Sequence, residues 1–153
     1  MKKSVKNLIK RIFDHRPVNY VTVNIQTIGD NDWLRNRCAL VTGGTSGIGF
    51  SIAKAFLNAG ANVIITGRSK ERIDTAVKLL GAKNIIGLEL NNTCVSSFER
   101  VLSPILKEKH VDIFVNNAGI NYKGMPNAVE KEYDLVMDTN LKGAFFLSQI
   151  VGK

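Results

Sequence analysis

Residues 38–49 read Cys-Ala-Leu-Val-Thr-Gly-Gly-Thr-Ser-Gly-Ile-Gly, and this stretch decides the fold. The apolar run at its start is typical of a strand that is buried on both faces. The run leads directly into a glycine cluster, and a helical pattern follows the last glycine. Glycines between a strand and a helix predict a dinucleotide-binding turn, because the free N–H groups and positive dipole of the helix N-terminus attract phosphates. The alternative is a tight strand-to-helix turn that binds nothing.

Three of the four glycines in this turn have separate tasks. Gly43 permits the sharp turn, Gly47 lets the backbone approach a pyrophosphate, and Gly49 lets the helix pack closely. Two hydroxyl groups stand beside them in the sequence. The predicted cofactor-binding residues of the turn are Thr42, Gly43, Thr45, Ser46, Gly47, Ile48 and Gly49.

Strand and helix patterns alternate from this turn to the end of the chain. Predicted strands cover 38–42, 62–66, 84–90 and 111–115, and helical patterns follow each of them. Four β-α units in series predict parallel strands, because each crossover helix returns the chain to the same end of the sheet. The predicted fold class is therefore α/β, the N-terminal half of a doubly wound, Rossmann-like parallel sheet, truncated after the fourth β-α unit.

Apolar spacing assigns one buried face to each helix. The expected faces are Ile48, Ile52, Ala55, Phe56 and Ala59 in the first helix, Ile73, Ala76, Val77 and Leu80 in the second, and Tyr133, Val136, Met137, Asn140 and Leu141 in the last. Ser69 and Gly81 should cap the second helix, and Pro104 should kink or shorten the third. We expect Asn140 to have hydrogen-bond partners, since an unpaired buried amide costs about 1–3 kcal/mol.

The formal net charge of +8 is concentrated in the N-terminal segment. Residues 1–37 contain eight Lys or Arg against three Asp, whereas residues 38–153 contain thirteen basic against ten acidic side chains. No basic stripe interleaved with aromatic residues occurs in the second part, which argues against nucleic-acid binding. We divide the chain into a basic N-terminal extension, residues 1–33, and a dinucleotide-binding domain, residues 34–153. Residues 1–13 have the pattern of a basic helix, and residues 21–25 alternate like a half-exposed strand.

Other functional classes find little support. No apolar run is long enough to span a membrane as a helix. The spacing of Cys38 and Cys94 matches neither a metal motif nor a disulfide framework, which favours reduced, partly buried thiols in a cytoplasmic protein. The histidines, His15 and His110, lie far apart, so no metal site is expected.

The second predicted strand ends in Thr-Gly-Arg-Ser at residues 66–69, with no carboxylate before Glu71. An acidic residue about 20 positions beyond the glycines binds the ribose 2′-hydroxyl in NAD sites. Arg68 instead offers a guanidinium suited to a 2′-phosphate. This favours NADP over NAD, although Arg68 stacking on adenine or facing solvent is an alternative.

Two further motifs complete a pattern. Asn-Asn-Ala-Gly occupies residues 116–119 after the fourth predicted strand, and Asn-Leu-Lys-Gly occupies residues 140–143 in the last helix. Together with the glycine turn, they stand in the order and approximate spacing of the short-chain dehydrogenase/reductase family. Residues 34–153 resemble that family, and residues 1–33 do not. The resemblance implies a strand order of 3-2-1-4, with the fourth strand at an aggregation-prone edge.

The resemblance also implies roles for individual residues. Asn91 and Asn92 would lie beside the adenine, although the family usually has Asp at the first of these positions. Asn117, Ala118 and Gly119 would lie along the nicotinamide ribose. Asn140 would be the catalytic asparagine that holds a water in the proton relay. In this family the helix that carries it commonly forms subunit contacts, which implies a homo-oligomer when the protein is complete.

The family's other catalytic residues are a Ser and a Tyr-x-x-x-Lys pair downstream of this helix. The residues four positions after Tyr20, Tyr122 and Tyr133 are Asn24, Pro126 and Met137, so none is a lysine. The resemblance implies an NAD(P)-dependent oxidoreductase that interconverts a carbonyl and an alcohol, such as a 3-oxoacyl thioester or a sugar. We expect the 153-residue chain to lack that activity alone. A non-catalytic dinucleotide-binding or interaction module is the alternative.

Overall fold

The computed structural model describes residues 33–122 and 127–153. The four strands are β1 (Cys38–Val41), β2 (Asn62–Gly67), β3 (Ile85–Glu89) and β4 (Ile113–Val115). The five α-helices are α1 (Gly47–Asn58), α2 (Lys70–Leu80), α3 (Phe98–Glu108), α4 (Glu130–Met137) and α5 (Gly143–Val151). A 3-10 turn, Val95–Ser97, precedes α3, and a π-helical turn, Asp138–Lys142, joins α4 to α5. The N-terminal extension lies outside the described residues, apart from Trp33, and its predicted helix and strand lie wholly outside them.

The strands form one parallel sheet in the order β3-β2-β1-β4. This confirms the predicted α/β class and strand order. In the register of the sheet, Leu40 of β1 lies opposite Ile64 of β2 and Phe114 of β4. Within the described residues, β4 pairs only with β1, so its outer edge has no strand partner there.

Alternating strand residues enter two separate cores, one on each face of the sheet. Leu40 and Ile64 pack with residues of α3 and α5, among them Phe98 and Leu147. Val41, Val63 and Ile65 pack on the other face with α1 and α2. A sheet covered on both faces explains why β1 and β2 are apolar at nearly every position.

The apolar face predicted for α1 is correct in part: Ala59 is buried and Ile52 and Phe56 pack against the core, but two of its members do not. Ile48 is 74% exposed and Ala55 is exposed, whereas Gly49 and Ala53 are buried against the sheet. Small residues at this i, i+4 spacing let the helix backbone approach the strands closely. The larger side chains of Ile52 and Phe56 therefore pack only partly, at the margin of the contact.

The other helices differ in how well their pattern predicts them. In α2, Ile73 and Ala76 are buried, Ser69 accepts a hydrogen bond from the Arg72 N–H, and Gly81 closes the helix at φ 61°, as predicted. Helix α3 continues through Pro104 to Glu108, so the proline does not shorten it. The last helix runs from Glu130 to Val151 as predicted, but the π-helical turn interrupts its α-helical periodicity. No helix in the described residues has the length and apolar character needed to cross a membrane.

Candidate dinucleotide-binding site

A cavity of about 630 Å³ opens at the carboxyl ends of β1, β2 and β4. Its wall contains eight of the residues predicted from the sequence: Gly43, Thr45, Ser46, Arg68, Asn92, Asn117, Ala118 and Gly119. The wall also contains residues that the sequence analysis did not select: Thr66, Gly67, Ser69, Arg72, Leu90, Ile120 and Thr139. The carboxyl ends of parallel strands are where α/β proteins bind ligands, so the position of the cavity agrees with the motif analysis.

The glycine turn has the conformation that its residues predict. Gly43 has φ +66°, and a Cβ there would lie 2.9 Å from the Ala118 Cα. A Cβ on Gly49 would collide with the Asn117 Nδ2 and the Gly43 carbonyl. Gly47 is different, because it has φ +57° and nothing lies within 4 Å of its Cβ position. The turn is therefore crowded beneath and open above, which fits a phosphate resting on the backbone at Gly47.

Thr42 joins the glycine turn to the loop after β4. Its side chain is fully buried, and its Oγ1 accepts hydrogen bonds from the Asn117 and Ala118 N–H groups, both at 3.0 Å. In return, the Asn117 Nδ2 donates to the Thr42 carbonyl at 2.9 Å. The prediction placed Thr42 around the cofactor, but its side chain lies below the cavity and holds the two loops together.

Of the predicted turn residues Ser46 and Ile48, only Ser46 lines the cavity. Ser46 and Ile48 are exposed, and the Ser46 hydroxyl makes no capping bond to α1 although it occupies the N-cap position. That hydroxyl remains available to a phosphate. Ile48 does not line the cavity, and its exposure is one of the departures from the apolar face predicted for α1.

Two arginines line the cavity at the start of α2. Arg68 precedes the helix cap, and Arg72 lies in the first turn. Neither guanidinium has a hydrogen-bond or ion-pair partner among the residues that the structure describes. The neighbouring Lys70, by contrast, forms an ion pair with Asp74. No motif in the sequence marks Arg72, because Arg68 lies outside the helix and helical spacing does not relate the two residues.

The two adjacent asparagines after β3 have different environments. Asn91 is exposed, and its Oδ1 accepts hydrogen bonds from the N–H and hydroxyl of Thr93. Asn92 is 4% exposed, and its Nδ2 has no partner in the described part of the chain. The Oγ1 of Thr66, in the same cavity wall, is also buried and unpaired there. Unpaired buried polar atoms are rare in proteins, so these two atoms fit a site whose ligand supplies the missing partners.

Asn140 does not have the predicted burial. It is exposed in the π-helical turn, and its predicted neighbour Leu141 is 59% exposed. Its expected partners are present: Oδ1 accepts from the Ile120 N–H and Nδ2 donates to the Ile120 carbonyl, both at 2.8 Å. The extra residue of a π-helical turn changes which side of the helix each later residue occupies. Asn140 therefore faces the loop after β4 rather than the apolar core.

The arrangement can hold an elongated ligand that carries phosphate groups. The open glycine turn, the free N–H groups of α1 and the unpaired guanidinium groups supply phosphate contacts, while Leu90 and Ala118 supply apolar surface. Among the described residues, no group of three or more His, Cys, Asp or Glu is gathered as a metal site would require.

A family model described as short chain dehydrogenase matches residues 37–153. The chain belongs to this family. The match begins just before β1 and covers the whole sheet, the glycine turn and both asparagine motifs. The family assignment thus agrees with the position of the cavity and with the predicted fold.

Curated relatives support the same assignment. The chain is 41% identical over 120 residues to the 3-oxoacyl-acyl-carrier-protein reductase FabG of Vibrio cholerae, a match covering 77% of this chain and 49% of the relative. It is 32% identical over 127 residues to the NAD-dependent glycerol dehydrogenase of Listeria innocua, covering 81% and 50%. The chain therefore spans about half the length of the curated relatives it matches.

Solved structures of the family have the same fold. A protein assigned as a gluconate dehydrogenase from Agrobacterium tumefaciens aligns with a TM-score of 0.72 at 30% identity, covering 77% of this chain and 48% of the other. A short-chain alcohol dehydrogenase assigned in Sinorhizobium meliloti aligns with a TM-score of 0.71 at 36% identity, covering 78% and 49%.

Proposed function

We propose that this chain supplies the cofactor-binding half of an NADP-dependent oxidoreductase, which interconverts a carbonyl and an alcohol by hydride transfer. The observation that carries the proposal is the unpaired Arg68 guanidinium in the cavity beside the glycine turn. Family membership alone does not choose the cofactor, because the relatives include an NAD-dependent enzyme. A cation at the end of β2, with no carboxylate beside it in the cavity wall, favours a ligand with an additional phosphate.

In this proposal the cavity holds the dinucleotide along its length. Gly43 to Gly49 bind the pyrophosphate, and Asn91 and Asn92 lie at the adenine. Asn117, Ala118 and Gly119 lie along the nicotinamide ribose. Bound NADPH would supply the hydride, and the protein groups would position it and exclude water.

Asn140 is the one proposed catalytic residue within this chain. Its two bonds to Ile120 leave one Nδ2 proton and one Oδ1 lone pair free. These free positions can hold a water molecule, as the family role requires. Because no Tyr-x-x-x-Lys pair occurs in residues 1–153, we propose that this stretch alone does not reduce carbonyls.

The relatives support a substrate class, and the exposed apolar side chains support an assembly. FabG and the gluconate dehydrogenase support a 3-oxoacyl thioester or a sugar-derived substrate. Tyr133, Leu141 and Phe145 are 60%, 59% and 63% exposed, which supports a homo-oligomer of the complete protein in contact along α4 and α5. The free thiols of Cys38 and Cys94 support a cytoplasmic location, although Cys94 is exposed rather than partly buried as predicted.

Fluorescence titration with NADPH and NADH tests the cofactor assignment. The wild-type protein should bind NADPH more tightly, and Arg68→Gln should weaken NADPH binding about tenfold or more through the loss of a charge-assisted bond, with NADH affinity nearly unchanged. Arg100→Gln, an exposed change on α3 outside the cavity, is the matched control. Equal binding of both cofactors by the wild type would contradict the assignment to NADP.

The alternative is a dinucleotide-binding module without catalytic activity. Carbonyl reduction by the complete protein, measured as NADPH consumption with 3-oxoacyl thioester and sugar substrates, separates the two. Cofactor binding with no turnover of any carbonyl substrate would favour the module.

A further inference from the structure

We propose that Arg72 is a specificity-determining residue that binds the 2′-phosphate of NADP together with Arg68. The inference rests on the proposed function, since it assigns a second side chain to the same cofactor site. Arg72 lies on the cavity wall, and its guanidinium is unpaired among the residues described. A phosphate monoester carries close to two negative charges at neutral pH, so two cations can bind it where one would leave charge unbalanced.

The position of Arg72 is electrostatically unfavourable without an anion. The N-terminus of a helix carries partial positive charge, so a cation in the first turn is destabilising. Arg72 is the third residue of α2, and its own N–H is bound to the Ser69 Oγ at 3.3 Å. The guanidinium of Arg68, just before the helix, adds a second like charge. A phosphate between them would remove both penalties.

The other charged groups near this helix end leave the anion site open. Lys70 is occupied by its ion pair with Asp74, one turn further along α2. Glu71 is exposed and does not belong to the cavity wall. Ser69, which does line the cavity, uses its Oγ as an acceptor, and its hydroxyl proton remains free to donate to a phosphate. The site therefore offers two guanidinium groups and one hydroxyl donor.

Binding of two nucleotide fragments isolates this contact from the nicotinamide end. The probes are 2′,5′-ADP and 5′-AMP, which differ by the 2′-phosphate, titrated calorimetrically into wild type, Arg72→Gln, Arg68→Gln and the double variant. We expect Arg72→Gln to weaken 2′,5′-ADP binding about tenfold or more while 5′-AMP changes less than about twofold. Arg72→Lys should recover part of the loss, because lysine restores the charge but not the planar fork.

The thermal unfolding midpoint of the ligand-free protein separates binding from a structural role. If Arg72 stabilised the fold, its loss would lower this midpoint. Arg72→Gln should leave the midpoint unchanged or raise it, since it removes a cation from a helix N-terminus. A lowered midpoint, an unchanged preference for 2′,5′-ADP, or an equal loss for both fragments would overturn the role of Arg72. If the wild type binds neither these fragments nor NADPH, the proposed function itself fails. If the wild type binds NADPH, and Arg72→Gln binds 2′,5′-ADP as tightly as the wild type does, the proposed function stands without this residue.

Discussion

The polar groups at the two ends of the parallel sheet differ in whether they have hydrogen-bond partners. At the amino end, Asp112 accepts hydrogen bonds from the Arg37 guanidinium at 2.7 Å and the Cys38 N–H at 2.8 Å, which ties β1 to the start of β4. Both bonds lower the pKa of Asp112. The bond from the Cys38 N–H has the larger effect, and the bond from Arg37 has the smaller one. At the carboxyl end, Arg68 and the Asn92 Nδ2 have no such partners among the described residues. The polar groups at the amino end are paired with one another, whereas those at the carboxyl end are available to a ligand.

This difference separates polar residues that stabilise the fold from those available for binding. The two kinds occur close together at the carboxyl end, where the buried Thr42 joins the loops beneath the cavity. Substituting a residue that stabilises the fold should therefore mainly lower the free energy of unfolding. Substituting a residue available for binding should mainly lower cofactor affinity. Three predictions test this, beginning with the largest expected effect.

Gly49→Ala should disrupt the fold, and Gly47→Ala should disrupt binding. A Cβ at Gly49 has no room beside Asn117 and Gly43, so we expect a loss of about 3 kcal/mol or more in unfolding free energy. At Gly47 the space is open, and only the left-handed backbone conformation costs alanine about 1–2 kcal/mol. Denaturant unfolding should find Gly47→Ala folded, while titration should find NADPH binding weakened by more than about tenfold, because the added Cβ displaces the phosphate. Unchanged NADPH affinity in Gly47→Ala would show that no phosphate rests there.

Asn92→Val should raise stability and weaken binding. Removing a buried donor that lacks a partner should stabilise the ligand-free protein by about 1 kcal/mol, or about 2–4 °C in the unfolding midpoint. NADPH affinity should fall, because the amide can no longer bond to the base. Asn91→Val is the matched control: its Oδ1 has two partners in Thr93, so that change should lower the midpoint instead. A lowered midpoint in Asn92→Val would mean that the amide already has a partner, such as a buried water.

The sequence predicted the sheet better than the helix faces, for a physical reason. Strand boundaries follow apolar runs and turn residues, and each predicted strand lies within two residues of its observed bounds. Helix α2 was predicted correctly because its caps, Ser69 and Gly81, fix both ends of the apolar stripe. In α1 the residues nearest the sheet are the small Gly49 and Ala53, so the apolar spacing found the flanking residues Ile52, Phe56 and Ala59 and missed the centre of the contact.

The residues of the candidate site also differ in whether the sequence could predict their positions. Contacts set by local backbone geometry, such as those of Gly43 and Asn117, were predictable because a motif encodes them. The position of Asn140 was not, since a π-helical turn has no marked sequence signal and changes the side on which the residue lies. Arg72 was missed because its significance depends on having no partner, which only the three-dimensional arrangement of the neighbouring carboxylates reveals.

Asp112→Asn should change stability in a pH-dependent manner and leave cofactor binding unchanged, since Asp112 lies at the amino end of the sheet. The pKa of Asp112 is lowered in the folded protein, so its contribution is present above the unfolded value of about 3.9 and is lost as the pH falls through the folded value. Unfolding midpoints of wild type and Asp112→Asn, measured from neutral to acidic pH, should therefore differ at pH 7 and converge in acid. Asp74→Asn, which breaks the exposed ion pair with Lys70 on α2, should have little effect at any pH. A difference for Asp112→Asn that does not depend on pH would mean that shape, rather than charge, holds β1 to β4.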